Sequence, residues 1–281
     1  MGKMQRKNLP AIIAIAAISW ILVNISHETL GHAGFGVLSG FRINAVNTTT
    51  AYLDVDWDNE INLNGFTKYR LFLLGGILLN FITGFVAWLL LKFNSKLKSQ
   101  MRLFLWLFAS FSYVVIVMNL ISVPIIRGGD MWGIIRTFEN QERARTIVIL
   151  VGVVFMLVAY PLLQKSYMPE IKKQRPILLS LTFLPLATLI VIQTLSLINS
   201  PFSYLPASQN HLLASVFAYF HFILWAIIVN IVPASNKKFS IDNLLPDKSL
   251  ICLVVGIIAI AFYIFVLGPG IGSFEGHPGL Q

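Results

Sequence analysis

A single cysteine and a shortage of charge set the first limits on this chain. Cys252 has no second thiol to pair with, which excludes an intramolecular disulfide. Charged residues make up 12% of the 281 positions and hydrophobic ones 56%, a balance that excludes an ordinary soluble domain with a polar surface. Acidic residues are the scarcest, 12 against 21 Lys and Arg, so the net charge is +9. There is no internal repeat and no low-complexity tract. No A-x-A-like site closes the apolar run that follows the basic start Met1–Lys7, so that run is read as a retained first span and not as a cleaved signal. Arg6 occupies the position where N-myristoylation needs Ser or Thr, and that modification is excluded too.

What is present is a series of apolar segments about 20 residues long, bounded by charge or Pro, each long enough to cross a bilayer. They run over 10–32, 70–92, 102–123, 146–164, 177–198, 212–233 and 249–268. The expectation is an all-α polytopic membrane protein with about seven transmembrane helices and a short β-rich loop after the first. With those spans, 14 of the 21 basic residues fall on the amino-terminal side, among them the cluster Lys172-Lys173-Gln174-Arg175. The positive-inside rule then places the amino terminus in the cytoplasm and the carboxyl terminus outside. Basic loops facing anionic lipid account for the net charge, and no nucleic-acid partner is needed.

The first span ends on His27-Glu28-Thr29-Leu30-Gly31-His32. Two imidazoles and a carboxylate are costly at the end of a membrane-length apolar run unless something compensates them, and a metal does so. Two neutral nitrogens suit zinc, and the carboxylate suits a general base that takes a proton from the attacking water. The spacing is unusual. At about 100° per residue, His at i and i+5 lie roughly 140° apart on an α-helix, too far to share one ion. A π-type turn of about 4.4 residues brings both onto one face and frees a carbonyl near Leu30 or Gly31. The six-residue form is similar to the HExxGH motif of the dipeptidyl peptidase III family.

A third ligand must come from elsewhere. The third span ends on the same side as the first, in Asn119-Leu-Ile-Ser122-Val-Pro124-Ile-Ile-Arg127-Gly128-Gly129-Asp130-Met131, and its two glycines leave the backbone free to carry Asp130 inward. Glu60, in the polar stretch between Ala33 and Tyr69, competes for the same role. Within that stretch residues 41–57 are β-branched and partly alternating, which predicts a short hairpin whose edge could pair with an unwound peptide. Asp54, Asp56 and Asp58 would share one face of such a strand and form a solvated acidic loop. His211 opens the sixth span. His221 lies within it, where a neutral His with one hydrogen-bond partner suffices.

Taken together, these segments resemble the site-2 protease family of intramembrane zinc metalloproteases. That family carries a zinc-binding HExxH, a GPxxN-like stretch and an N-x-x-P…DG segment on successive helices. Here the counterparts are His27–His32, Gly75-Gly76-Ile77-Leu78-Leu79-Asn80, and Asn119 to Asp130. The match covers residues 10 to 135, so residues 1–135 form the expected metalloprotease core and 136–281 four additional helices. Four features depart from the pattern: among them, the His spacing is one residue longer, Gly76 stands for a usual Pro, and Met131 follows Asp130 where the family has Gly. Ser122 likewise stands for a Pro. The family's metal also lies nearer the cytosol, whereas the charge count here puts it nearer the outer face.

The resemblance implies zinc held by His27, His32 and Asp130, Glu28 as general base and then acid, and Asn119 or Asn80 holding the scissile peptide or its oxyanion. The substrate class it implies is a membrane-spanning protein or peptide cut within or beside the bilayer. Two alternatives stay open. One is a pseudoprotease or helix-binding membrane protein whose long His spacing has lost the metal. The other is a zinc hydrolase acting on lipidated tails, which would use a Glu as third ligand.

Overall fold

In the computed structural model, described residues are 3–49, 51–54, 57–94, 96–167, 175–201, 207–231 and 250–273, without the side chains of 3–7, 53–66, 166–179 and 202–218. The expected helical architecture is present. Among the described residues, six helices are long and apolar enough to cross a membrane: Asn8–Leu38, Thr67–Phe93, Ser99–Ile126, Gln141–Lys165, Ser180–Ile198 and Leu250–Leu267. The expected span at 212–233 is met by a helix over Ala207–Ile231, whose apolar part among the described side chains is Tyr219–Ile231.

In chain order the elements are α1 (Lys3–Ile25), a π-helical stretch (Ser26–Ala33), α2 (Gly34–Leu38), β1 (Arg42–Val46), β2 (Ala51–Asp54), α3 (Trp57–Phe93) and α4 (Ser99–Ile126). Then follow α5 (Gly129–Ile135), α6 (Gln141–Tyr167), α7 (Arg175–Ile198), α8 (Ala207–Ile231), α9 (Leu250–Phe262), a second π-turn (Tyr263–Leu267) and β3 (Ile271–Gly272). The best-buried helix is α4, against which α1, α3, α6 and α8 all pack. Aromatic rings join α1, α4 and α8: Trp20 meets Phe111 and Phe222 at 6.2 and 5.5 Å, and Trp106 meets Trp225 at 5.5 Å. Lipid is as apolar as these rings, so the helices associate through close packing and not through hydrophobic expulsion.

Cations lie over aromatic rings near both ends of the apolar span of α3. Arg70 lies 4.6 Å over Phe138 at one end, and Lys92 lies 4.8 Å over Trp88 at the other. Such amphipathic pairs belong at headgroup level. The two residues are 22 positions apart, about 33 Å at 1.5 Å per residue, which matches a hydrocarbon core of about 30 Å.

The expected hairpin forms, but in different company. β1 and β2 pair antiparallel with an irregularity between Ile43 and Ala45, and β3 from the far end of the chain adds to the other edge of β1, giving the order β2-β1-β3. The expected acidic face does not form. Asp54 ends β2 and Asp58 is already helical, because α3 begins at Trp57, well before the expected start of its span at 70. Asp56 lies outside the described residues.

Candidate metal centre

The hexapeptide lies in the expected π-turn. Residues Ser26–Ala33 form a π-helix set between two α-helical segments, and the Gly34 N–H reaches back five residues to the Thr29 carbonyl as well as to Gly31. The wider turn brings the two imidazoles together, with Nε2 of His32 3.3 Å from Nε2 of His27. A wide turn needs space on the facing helix, and α3 leaves it with glycines. A Cβ on Gly31 would lie 2.5 Å from the Gly76 Cα, and a Cβ on Gly76 would lie 2.7 Å from His32 Nε2 and 2.8 Å from His27 Nε2. Both rings therefore lie directly on the Gly76 backbone. Gly76 is six residues, about 9 Å along α3, from Arg70.

Asp130 completes the group. The chain leaves α4 through Arg127 in the left-handed region (φ 56°), runs extended at Gly128, and turns again at Gly129 (φ 72°), the first residue of α5. Of the two glycines only Gly129 uses a conformation that favours glycine; the other left-handed position falls on Arg127. Asp130, in the first turn of α5, brings Oδ2 to 3.2 Å from Nε2 of both His27 and His32. His27, His32 and Asp130 could hold one metal ion. Burial works against the Asp130 charge, but the imidazoles beside it hold its carboxyl well below the usual carboxylate range.

The surroundings of the triad suit a metal. A His that ligates through Nε2 must carry its proton on Nδ1 and give it to an acceptor. His32 meets this condition, since its Nδ1 lies 2.9 Å from the Phe72 carbonyl oxygen, which can only accept. His27 Nδ1 lies 3.1 Å from the amide of Asn80, whose nitrogen faces the ring while its buried Oδ1 has no partner among the described residues. Exchanging the amide's oxygen and nitrogen leaves its shape unchanged. It gives Oδ1 a partner and His27 the acceptor that a ligating tautomer needs.

The remaining side chains named from sequence are placed as follows. Glu28 is buried in the π-turn, within electrostatic reach of His27, His32 and Asp130. Asn80 touches the group through His27. Asn119 does not: its Nδ2 donates to the Val115 carbonyl of its own helix at 3.2 Å. His221 is buried with one partner, Ser122 Oγ at 2.7 Å from Nε2. The side chains of Glu60 and His211 lie outside the described ones.

Sequence reading missed Phe72, Tyr263 and Gln193. The Phe72 contact uses a backbone carbonyl, which no side-chain motif reveals. Tyr263 opens the second π-turn and donates to Gln193 Oε1 at 2.6 Å, and the same oxygen accepts from Trp20 Nε1 at 3.2 Å. Segments distant in sequence thus meet beside the end of α1 that leads into the His27–His32 turn. Comparison with protein-family models, curated proteins and solved structures finds no match.

Proposed function

We propose that this chain is an intramembrane zinc metallopeptidase that hydrolyses peptide bonds of membrane-embedded segments. The observation that carries the reading is the triangle of His27 Nε2, His32 Nε2 and Asp130 Oδ2, with sides of 3.2, 3.2 and 3.3 Å. Zinc bonds of about 2.0–2.1 Å at tetrahedral angles place neighbouring ligand atoms about 3.3 Å apart. Three such atoms leave a fourth position open, which is the arrangement of catalytic and not of structural zinc. Held by His27, His32 and Asp130, a zinc ion would supply a Lewis acid for the scissile carbonyl and the attacking water.

The chain's own groups supply the rest. Glu28 makes no hydrogen bond or ion pair with another described residue, so its carboxylate is available to take the proton of the attacking water and return it to the leaving amine. Asn80 and the Phe72 carbonyl hold the two imidazoles in the ligating tautomer. His27 and His32 are buried, while the Asp130 side chain is 25% exposed, so water and substrate approach from the Asp130 side. The lipidated-tail reading calls for a Glu third ligand, and the triangle is completed by an Asp. The pseudoprotease reading rests on the long His spacing, and the π-turn removes that objection.

The experiment is zinc analysis of purified protein alongside cleavage of a single-span substrate. About one zinc per chain is expected. Glu28→Gln should keep the zinc and lose 10²–10⁴-fold in rate, the usual contribution of a positioned general base. Asp130→Ala should lose the zinc. Metal-free wild-type protein, or Glu28→Gln cleaving at the wild-type rate, would end the proposal.

A further inference from the structure

The last described stretch of the chain doubles back onto the hairpin. Beyond α9 and the second π-turn, the Gly268 N–H bonds to the Tyr263 carbonyl at 2.9 Å, Gly270 N–H to Val266 at 3.2 Å, and Ile271–Gly272 then runs antiparallel to β1. The root of this segment is held firmly. Tyr263 bonds to Gln193, Asn199 Nδ2 donates to the Ile264 carbonyl at 3.4 Å, and Gly268 fits against Ser196 so closely that a Cβ would lie 3.0 Å from the Ser196 carbonyl oxygen.

The tip is a short strand. Among the described residues it has two register pairs, Ala45 with Gly272 and Val46 with Ile271, and a bond from Ser273 N–H to the Asn44 carbonyl at 3.1 Å. Ile271 is 54% exposed. Gly272 sits at φ 106°, and a Cβ there would collide with the Asn44 carbonyl oxygen, so only glycine can pair in this way. A two-residue strand built on glycine gains little from pairing and loses more backbone entropy than other residues would.

The strand that this tip covers leads to the metal-ligand group. Phe41, just before β1, packs edge-on against Phe72 with centroids 6.5 Å apart, and the Phe72 carbonyl is the acceptor for His32. At its other end the hairpin is tied to α7 through Thr48 Oγ1 and Ser196 Oγ, 2.8 Å apart. The sheet therefore stays fixed beside the π-turn whether or not the tip is paired.

We infer that residues 271–273 form a displaceable strap, an internal competitor on the edge of β1 that an extended peptide must pair with to reach the triad. This rests on the peptidase reading of that site. The incoming partner is an unwound segment with free backbone donors and acceptors, which exchanges with the strap strand for strand. Only the fraction of molecules with the strap open binds, so the apparent affinity is lowered by that fraction.

The test measures binding without turnover in the Glu28→Gln chain. The probe is a fluorescein-labelled octapeptide of alternating Val and Thr, read by anisotropy, with zinc content measured on the same samples. Gly272→Val and a chain ending at Gly270 are both expected to bind the probe at least fivefold more tightly than the parent, and a peptide of residues 268–273 should compete for the shortened chain. Equal or weaker binding by the shortened chain overturns the strap, and so does a probe that binds none of the three. If Gly272→Val fails to fold, the shortened chain decides. Tighter binding without zinc keeps the strap and removes the peptidase, whereas stoichiometric zinc with unchanged binding does the reverse.

Discussion

Deleting Leu30 tests the geometry on which the proposed metal centre depends. In a π-turn of about 4.4 residues each residue advances about 82°, so His27 and His32 lie roughly 50° apart; removing one residue returns the stretch to α-helix and puts them about 40° apart. The ligand positions barely change. Because a π-turn is one residue inserted into an otherwise continuous helix, removing it also keeps α1 and α2 in register with α3. The structure selects Leu30 for this: it is 57% exposed, whereas Gly31 lies against Gly76 with no room for a Cβ. Deleting Gly31 would push the Leu30 side chain into that contact. Zinc held by four ligands contributes about 10–16 kcal/mol, roughly 3 kcal/mol per ligand, so losing one costs about 10²-fold in affinity. Deletion of Leu30 should change zinc affinity less than about tenfold, measured by competition with a chromophoric chelator. Deletion of Gly31, or insertion of an Ala after Leu30, should lower it by about 10²-fold or more. If the Leu30 deletion loses zinc as fully as the insertion does, the π-turn is not what brings the ligands together.

Three further outcomes follow from the same contacts. Gly76→Ala places a methyl 2.7 Å from His32 Nε2, inside the 3.4 Å of ordinary contact, so the imidazoles must retreat by more than the ~0.5 Å a metal site tolerates, and zinc affinity should fall about 10–100-fold with the protein still folded by circular dichroism. Asn80→Leu removes the acceptor for His27 and should weaken zinc about 10–100-fold, while Asn80→Asp, which can only accept, should restore most of it in the same titration. His221→Gln, with no role in the metal group, should leave zinc content unchanged and lower thermal stability by about 1 kcal/mol through loss of the Ser122 bond, read as a shift in melting temperature.

How much of this was legible from sequence differs from residue to residue. The π-turn was, because five-residue spacing and 100° per residue admit no other way for two imidazoles to share an ion. Asp130 was legible through topology, since successive spans return to the same side of the membrane. The early start of α3 was hidden by Asp58, Asn59, Glu60, Asn62 and Asn64, which read as loop although the chain is already helical from Trp57. β3 was hidden too: Gly268-Pro269-Gly270-Ile271-Gly272 has neither alternation nor β-branched runs, and it pairs only because its glycines fit where a side chain would collide.

The deepest contact was invisible for a different reason. His27-Glu28-Thr29-Leu30-Gly31-His32 and Gly75-Gly76 were read as separate motifs with separate roles, yet each depends on the other. A π-turn is wider than an α-turn and would push away any neighbour carrying side chains at that level. The facing helix must therefore present bare backbone where the turn bulges, and it does so at Gly75 and Gly76, where added Cβ atoms would meet the Gly31 carbonyl and both imidazoles. The same close approach keeps the Phe72 carbonyl and the Asn80 amide, one helical turn to either side of Gly76, within reach of His32 Nδ1 and His27 Nδ1. Side chains at 75 and 76 would hold α3 further away and leave both rings without partners. The longer His spacing and the second glycine, which separately look like departures from a familiar pattern, are then a single adjustment: the extra residue widens the turn and the extra glycine makes room for it.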